Sequence, residues 1–190
     1  MNSFFPIHPH RSTVAIWAVA LLFSGCASDF RELTDARTGL AIPANFTGTV
    51  RKVEHRKEFA PPAVLRRVDT ANCAGFERVV FQFDGVQTPG YRVEYIDKPV
   101  RQCASGQVIT VAGDAWLEVR MIPAQAHDAG GGTVANRNRM LNYPNLRQLV
   151  ETCDFEGHET WVLGVGFPGG FRVTELTNPP RLVVDVRRTR

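Results

Sequence analysis

Two short segments combine side chains that could take part in catalysis. Cys153, Asp154 and His158 lie within CDFEGHETW, and a thiol near an imidazole and a carboxylate could act as an activated cysteine nucleophile. His127 and Asp128 precede the glycine-rich stretch AGGGT and could supply a general base with an acid beside it. These segments define one functional hypothesis, a hydrolase that uses Cys153, His158 and His127.

The competing interpretation is that neither segment is catalytic. A thiol and its base normally meet across a fold, so closeness along the sequence is weak evidence for a catalytic pair. A His-Asp pair before a run of glycines is typical of a turn. Residues 130–132 lack the lysine and the helix of a phosphate-binding loop. No two of the cysteines show the C-x-x-C spacing of structural zinc sites, so we expect no metal and no cofactor.

A binding surface is the second functional hypothesis, and it depends on arginine and aromatic side chains. Aromatic rings pack against the apolar faces of sugars, while arginine forms charge-assisted hydrogen bonds with carboxylates. We expect four outward side chains to contact a ligand: Arg78, Arg92, Trp116 and Arg181. Two alternatives stay open at this point. A loop could cover the tryptophan, and the arginines could simply pair with Asp185 and Glu94.

Alternating apolar residues predict β-strands along most of the chain beyond Pro62. In GFERVVFQFDG, Val79, Phe81 and Phe83 share one side of an extended backbone, and the later PRLVVDV repeats this pattern. Turn residues separate about nine such runs, and no crossover helix is indicated, which predicts an all-β, antiparallel β-sandwich. The repeated run suggests two equivalent halves packed face to face, although any two half-buried strands can look alike.

The strand pattern also predicts hairpins and a disulfide. Pairing Phe83 with Tyr91 across VQTPG gives both strands an apolar face, and this register brings Cys73 close to Cys103. We therefore expect a Cys73–Cys103 bond in preference to either pairing with Cys153. QVITV and AWLEVRM are expected to form a second hairpin around AGD.

The N-terminal segment predicts export from the cytoplasm. VAIWAVALLF, residues 14–23, is an apolar run behind a single basic residue, Arg11, and it is too short for a membrane-spanning helix, which needs about 20 residues. Such a run is typical of an export signal. The SGC that follows resembles the lipobox of bacterial lipoproteins, in which the cysteine is acylated and begins the mature chain. We expect lipid on Cys26, with cleavage after Ala27 and no lipid as the alternative.

The chain therefore divides into three parts. We expect residues 1–25 to be a lipoprotein signal peptide, residues 26–62 a tether with a possible extra strand in TGTVRKVEH, and residues 63–190 the folded β-domain. Without the signal peptide, 21 of the 22 basic side chains remain against 19 acidic ones. This near balance is not typical of a nucleic-acid-binding protein. We expect the protein at the cell membrane facing the wall or periplasm, or secreted if it carries no lipid.

An ordered series of motifs resembles a known family. The series GFERVVFQFDG, PGYRVEYIDKPV, VAGDAWLEVRM, AQAHD, DFEG and FRVTELTNPPRLVVDV is similar to the AMIN-like domain of actinobacterial secreted proteins and lipoproteins, over residues 63–187. The resemblance implies a β-sandwich related to the AMIN domain, which directs cell-wall amidases and secretin subunits to the periplasm and binds peptidoglycan. It implies a non-catalytic module whose partner is peptidoglycan or another envelope component, or a lipoprotein that docks onto an envelope protein.

Overall fold

The computed structural model describes residues 46–57 and 61–188, and the regular elements within these ranges are all β-strands. In chain order they are β1 (Val53–His55), β2 (Ala63–Asn72), β3 (Phe76–Phe83), β4 (Gly90–Ile96), β5 (Ala115–Ile122), β6 (Ala124–Gln125), β7 (His127–Asp128), β8 (Gly131–Gly132), β9 (Asn138–Met140), β10 (Leu146–Phe155), β11 (His158–Val165), β12 (Phe171–Leu176) and β13 (Arg181–Arg187). The predicted all-β fold is confirmed. The signal peptide, Cys26 and most of the tether lie outside the described residues.

Two sheets form a sandwich. One sheet has six strands in the order β1-β4-β5-β11-β10-β9, and the other has five in the order β12-β13-β3-β2-β6. The pairings are antiparallel apart from the short contact between β2 and β6, and β7 with β8 forms a separate two-stranded ribbon. Within the described part of the chain, no helix is long and apolar enough to cross a membrane.

The inward side chains of both sheets build one main hydrophobic core. Val79 and Phe81 are fully buried on β3, and Phe81 meets the Trp161 ring of the opposite sheet with 6.0 Å between centroids. Leu117 and Val119 on β5 are also fully buried. The predicted inward faces of these strands are therefore confirmed. Burial of such side chains is the main stabilising contribution in a sandwich of this kind.

The predicted hairpin between β3 and β4 is wrong. β3 pairs with β2 and β13, whereas β4 pairs with β1 and β5 in the other sheet. Residues 84–89 therefore cross from one sheet to the other. Both strands have the expected apolar face because they line the same core from opposite sides. Alternation identifies the buried face of a strand, but it does not identify the strand's partner.

The predicted Cys73–Cys103 bond is wrong for the same reason. Cys73 lies in the turn between β2 and β3, while Cys103 follows β4 on the opposite sheet. Cys103 is instead bonded to Cys153 on β10, with 5.2 Å between their Cα atoms. Cys73 is buried, and like the other described cysteines it is not a free thiol.

The two similar runs noted in the sequence are neighbours in one sheet. β3 and β13 pair antiparallel, so that Arg78 lies opposite Asp185 and Gln82 lies opposite Arg181. The arginine that leads each run thus faces the polar residue near the end of the other. The expectation of two equivalent halves packed face to face is wrong, because the likeness belongs to a pair of adjacent strands.

Residues 97–114 form a loop over the outer face of the six-stranded sheet. The expected QVITV strand is reduced to a single bridge between Arg101 and Val108, so the predicted hairpin around AGD does not form. Val100 and Val111 from this loop pack with Trp116 and Val162 in a second, smaller apolar cluster. This cluster fixes the loop against the sheet.

The extra strand expected in the tether is present as β1. Val53–His55 pairs with β4 at the edge of the six-stranded sheet, and Thr49 forms a bridge to Phe171 on β12. The folded unit therefore begins before residue 63. Residues 49–55, where the possible extra strand was expected, are therefore part of the sandwich.

Candidate functional site

The structure does not place Arg78 on an open surface. Its side chain is 7% exposed, and its Nε and Nη2 donate hydrogen bonds of 2.7 and 3.0 Å to Asp185, whose side chain is 1% exposed. Arg172 Nε donates a further bond of 2.7 Å to the same carboxylate. The expected exposure of Arg78 is wrong, and the alternative of a pair with Asp185 is confirmed. A buried carboxylate needs such partners because an isolated charge there would be strongly destabilising.

Trp116 also points outward from its strand without being exposed. The loop of residues 97–114 covers it, leaving 9% of the residue exposed, and its Nε1 donates a hydrogen bond to the Val111 carbonyl. Lys98 Nζ lies 4.0 Å from the ring centroid, in the geometry of a cation–π contact. The expectation of an exposed tryptophan is wrong, and the alternative of a covering loop is confirmed.

The other two predicted binding residues lie on opposite sides of the molecule. Arg181 is half-buried on β13 and donates a hydrogen bond to the Pro179 carbonyl, on the outer face of the five-stranded sheet. Arg92 is 40% exposed on β4 in the six-stranded sheet. The four predicted residues therefore do not form one patch, and Arg92 lines one of the two cavities described below.

The three side chains of the hydrolase hypothesis do not form a catalytic group. Cys153 is held in the disulfide with Cys103, so it cannot supply the thiolate that a cysteine nucleophile requires. His127 Nδ1 lies 2.8 Å from Asp154 Oδ1, while His158 lines a cavity on the outer face of the six-stranded sheet. The proposed cysteine mechanism therefore has no nucleophile.

Two adjoining cavities lie on the six-stranded sheet. The first, which we call the arginine cavity, has a volume of about 300 Å³, and its lining includes Arg56, Tyr91, Arg92, Arg120 and Ile122. The second, the disulfide cavity, has a volume of about 490 Å³, and its lining includes Arg101, Cys103, Arg120, Cys153, Phe155 and His158. Because Arg120 lines both cavities, they adjoin at its side chain, and the two together are called the outer groove below.

Strand alternation and the disulfide position the walls of this groove. Arg92 and Arg120 alternate with the fully buried Val93 and Val119, so their side chains point away from the core. The Cys103–Cys153 bond holds the loop of residues 97–114 against β10 and forms one side of the disulfide cavity. Phe155, at the turn between β10 and β11, is 53% exposed on its lining.

The lining residues that were not predicted from the sequence include Arg101, Arg120 and Phe155. The alternation in AWLEVRM already directs Arg120 outward. Its importance depends on the register between β4 and β5, which places it directly opposite Arg92 and which no local pattern indicates. Arg101 lies in a loop, which has no period from which to predict direction, and Phe155 ends β10 beyond an irregularity at Glu151–Cys153 that interrupts the alternation.

A second polar cluster, the acid cluster, is buried on the inner side of the same sheet. Glu151, Asp154 and Glu159 bring carboxylate oxygens within 4.8 Å of one another. Arg137 Nη1 donates bonds of 2.6 Å to Glu151 and 3.0 Å to Asp154, and Trp161 Nε1 donates one of 2.6 Å to Glu159. Arg137 therefore already provides a cation for two of the three acids.

One oxygen each of Glu151 and Glu159 is buried without a hydrogen-bond donor. Burial raises the pKa of both carboxyls, and at Glu159 the nearby charge of Glu151 adds to the effect. We expect a proton shared between the two carboxyl groups, which would supply the missing donor.

We expect Glu159→Gln to increase stability at pH 8 relative to the wild type. A carboxyl whose folded pKa exceeds its ordinary value of 4.5 stabilises fully below that value and progressively less as the pH rises. The side-chain amide of glutamine can donate a hydrogen bond to Glu151, and it does not lose a proton as the pH rises. Denaturant unfolding at pH 5 and pH 8 should show a smaller loss of free energy of unfolding in the variant than in the wild type.

The matched control is Glu156→Gln, which changes an exposed acid in the neighbouring turn. It should leave the difference between the two pH values as in the wild type. An equal pH dependence in Glu159→Gln and wild type would contradict the shared proton.

Comparison with known proteins places the chain in a family. Residues 63–188, which hold β2 to β13 and the lining of the disulfide cavity, match the AMIN-like domain, whereas residues 54–57 of the arginine cavity precede the match. Searches among curated proteins and among solved structures found no match. The match confirms the resemblance in the sequence motifs and associates the fold with the cell envelope. The chain belongs to the AMIN-like domain family.

Proposed function

We propose that this protein is an exported, lipid-anchored module that binds peptidoglycan through the outer groove of its six-stranded sheet. The observation that carries the proposal is that Arg120 lines both cavities of the outer groove, with further arginines at one end and an exposed phenylalanine at the other. Peptidoglycan offers both matching chemistries. Its sugars present apolar ring faces to aromatics, and its peptide stems carry carboxylates that arginine recognises.

The dimensions of the groove support a ligand of several connected units. Its two cavities measure about 300 and 490 Å³, within the range that sites for small organic ligands occupy. They are open on the outer face of a sheet, so a polymer could enter from the side without a conformational change. A sandwich whose inner faces form the core can offer a long ligand such a surface at little cost to its own stability.

The location in the envelope is proposed from the N-terminal sequence together with the family. The apolar run and SGC predict export and acylation of Cys26, and AMIN-like membership is consistent with an envelope protein. A lipid at residue 26 would hold the sandwich close to the membrane. The length of chain between the lipid and the sandwich would then determine the distance of the outer groove from the membrane.

We expect Arg120→Ala to weaken binding to insoluble peptidoglycan, because Arg120 contributes to both cavities. The measurement is co-sedimentation of the mature chain from residue 26, made soluble by Cys26→Ser. Phe155→Ala should weaken binding as well, by the loss of a stacking surface worth roughly 1 kcal/mol or about fivefold in affinity. His127→Ala should bind as the wild type does, since its side chain contacts Asp154 and lies outside the groove.

The matched control is Arg67→Ala, which removes an arginine that is 58% exposed on the other sheet. It should leave co-sedimentation unchanged. If the unsubstituted mature chain does not sediment with peptidoglycan, the ligand is wrong and docking onto an envelope protein becomes the better explanation. Equal losses of co-sedimentation for Arg67→Ala and Arg120→Ala would show that peptidoglycan does not bind specifically in the outer groove.

We expect metabolic labelling with a fatty-acid analogue to mark the wild-type protein and to leave Cys26→Ser unmarked. The reason is that the thiol of the lipobox cysteine is the acceptor for the lipid. Mass spectrometry of the mature N-terminal peptide should find acylated Cys26. Recovery of the Cys26 peptide in disulfide linkage, or equal labelling of both proteins, would rule out the anchor.

A further inference from the structure

The register between β4 and β5 opposes like charges on the outer face. Arg92 lies directly across from Arg120, and two residues further along Glu94 lies across from Glu118. Like charges directly opposite each other destabilise a sheet by a few tenths of a kcal/mol or more. Exchanging the residues of one strand would give two oppositely charged cross-strand pairs. In the observed order, the two arginines form one cross-strand pair and the two glutamates form the next.

Each arginine is only partly neutralised by its own strand. Arg92 Nε donates a bond of 2.6 Å to Glu94, and Arg120 Nη2 donates one of 2.9 Å to Glu118. The arginine side chains remain 40% and 37% exposed. A guanidinium carries five N–H donors, so one glutamate partner leaves capacity for a second acceptor.

The flanking strands add no available negative charge to the pair. Glu54 on β1 lies opposite Arg92, but it is bonded to Arg56 at 2.7 Å and paired with Lys52 at 3.1 Å. On the other side, Thr160 on β11 lies opposite Arg120 and is uncharged. The two guanidinium groups therefore face solvent as neighbours.

The two ends of the outer groove differ in charge. The arginine cavity is lined by four basic side chains, from Arg56, Lys57, Arg92 and Arg120, against the single acid Glu54. One of the four, Lys57, is bonded at 2.6 Å to Glu175, and Arg92 and Arg120 each pair with a glutamate of their own strand. In the disulfide cavity, two arginines are balanced by two glutamates, Glu118 and Glu156.

We infer that the arginine cavity is a carboxylate subsite, in which Arg92 and Arg120 together hold a free carboxylate of a peptide stem. This inference rests on the proposed function and deepens it. The planar guanidinium matches a carboxylate geometrically, and a bound anion relieves the repulsion between the opposed arginines. Ile122, which is 38% exposed, supplies an apolar wall for the small side chain beside that carboxylate. The neutral disulfide cavity contacts uncharged parts of the same ligand.

The test compares peptidoglycan whose carboxylates have been amidated with carbodiimide and ammonia against mock-treated peptidoglycan. The protein is the mature chain with Cys26→Ser. We expect the wild-type groove to bind the amidated polymer about tenfold more weakly, as expected for the loss of a charge-assisted contact. Arg92→Gln with Arg120→Gln should bind both polymers equally, at the level at which the wild-type groove binds the amidated one. Arg67→Gln should retain the full difference.

Other outcomes separate the subsite from the proposed function. Equal binding of both polymers by the wild-type groove would overturn the carboxylate subsite while leaving peptidoglycan binding intact. Binding to neither polymer would overturn the proposed function itself. A third arm uses peptidoglycan stripped of phosphate-containing wall polymers with hydrofluoric acid; if only this treatment abolished binding, the anion would be a phosphate and the inference would be wrong. Unfolding curves for each variant confirm that the sandwich is folded.

Discussion

The burial of the two inner sheet faces against each other is the constraint on which the rest of the structure depends. Core side chains alternate along the long strands, so every second residue is committed to packing and the residues between them face outward. A ligand surface can therefore be built only on an outer face, at an edge or in a loop. On the five-stranded sheet much of the outer face is already occupied, because Asp185 lies buried there between Arg78 and Arg172.

The outer face of the six-stranded sheet is divided by the loop of residues 97–114. Over one half, the loop buries Trp116 and closes the surface. Beside it, the Cys103–Cys153 bond ties the loop to β10 and makes its edge a wall. The other half stays open and carries Arg92 and Arg120. The disulfide thus shapes the outer groove without belonging to a catalytic site.

The buried faces could be predicted from the sequence, whereas the strand partners could not. The period of two places Phe81 and Val119 in the core correctly, because alternation reports burial directly. It does not report which sheet a strand joins, and so the β3–β4 hairpin and the Cys73–Cys103 bond built on it were both wrong. Loop contacts are equally invisible to local patterns, since QVITV has the composition of a strand but covers Trp116 as part of a loop.

The inability to predict strand partners also explains why the binding residues were predicted only in part. Arg78, Trp116 and Arg92 were all predicted to point outward, and all three do. Pointing outward does not guarantee exposure. A partner on the next strand buries Arg78 and a loop buries Trp116, while Arg92 is still 40% exposed between Glu54 and Arg120. Functional surface on this fold therefore depends on cross-strand register, which a single sequence does not specify.

The most direct test of the account is amide NMR of the mature chain with Cys26→Ser, titrated with soluble disaccharide-peptide fragments of peptidoglycan. Binding in the outer groove should cause saturable shift changes at Arg92, Arg120 and the residues around Cys103, with β3 and β13 unaffected. Shift changes confined to the outer face of the five-stranded sheet, or none at high fragment concentration, would contradict binding in the outer groove.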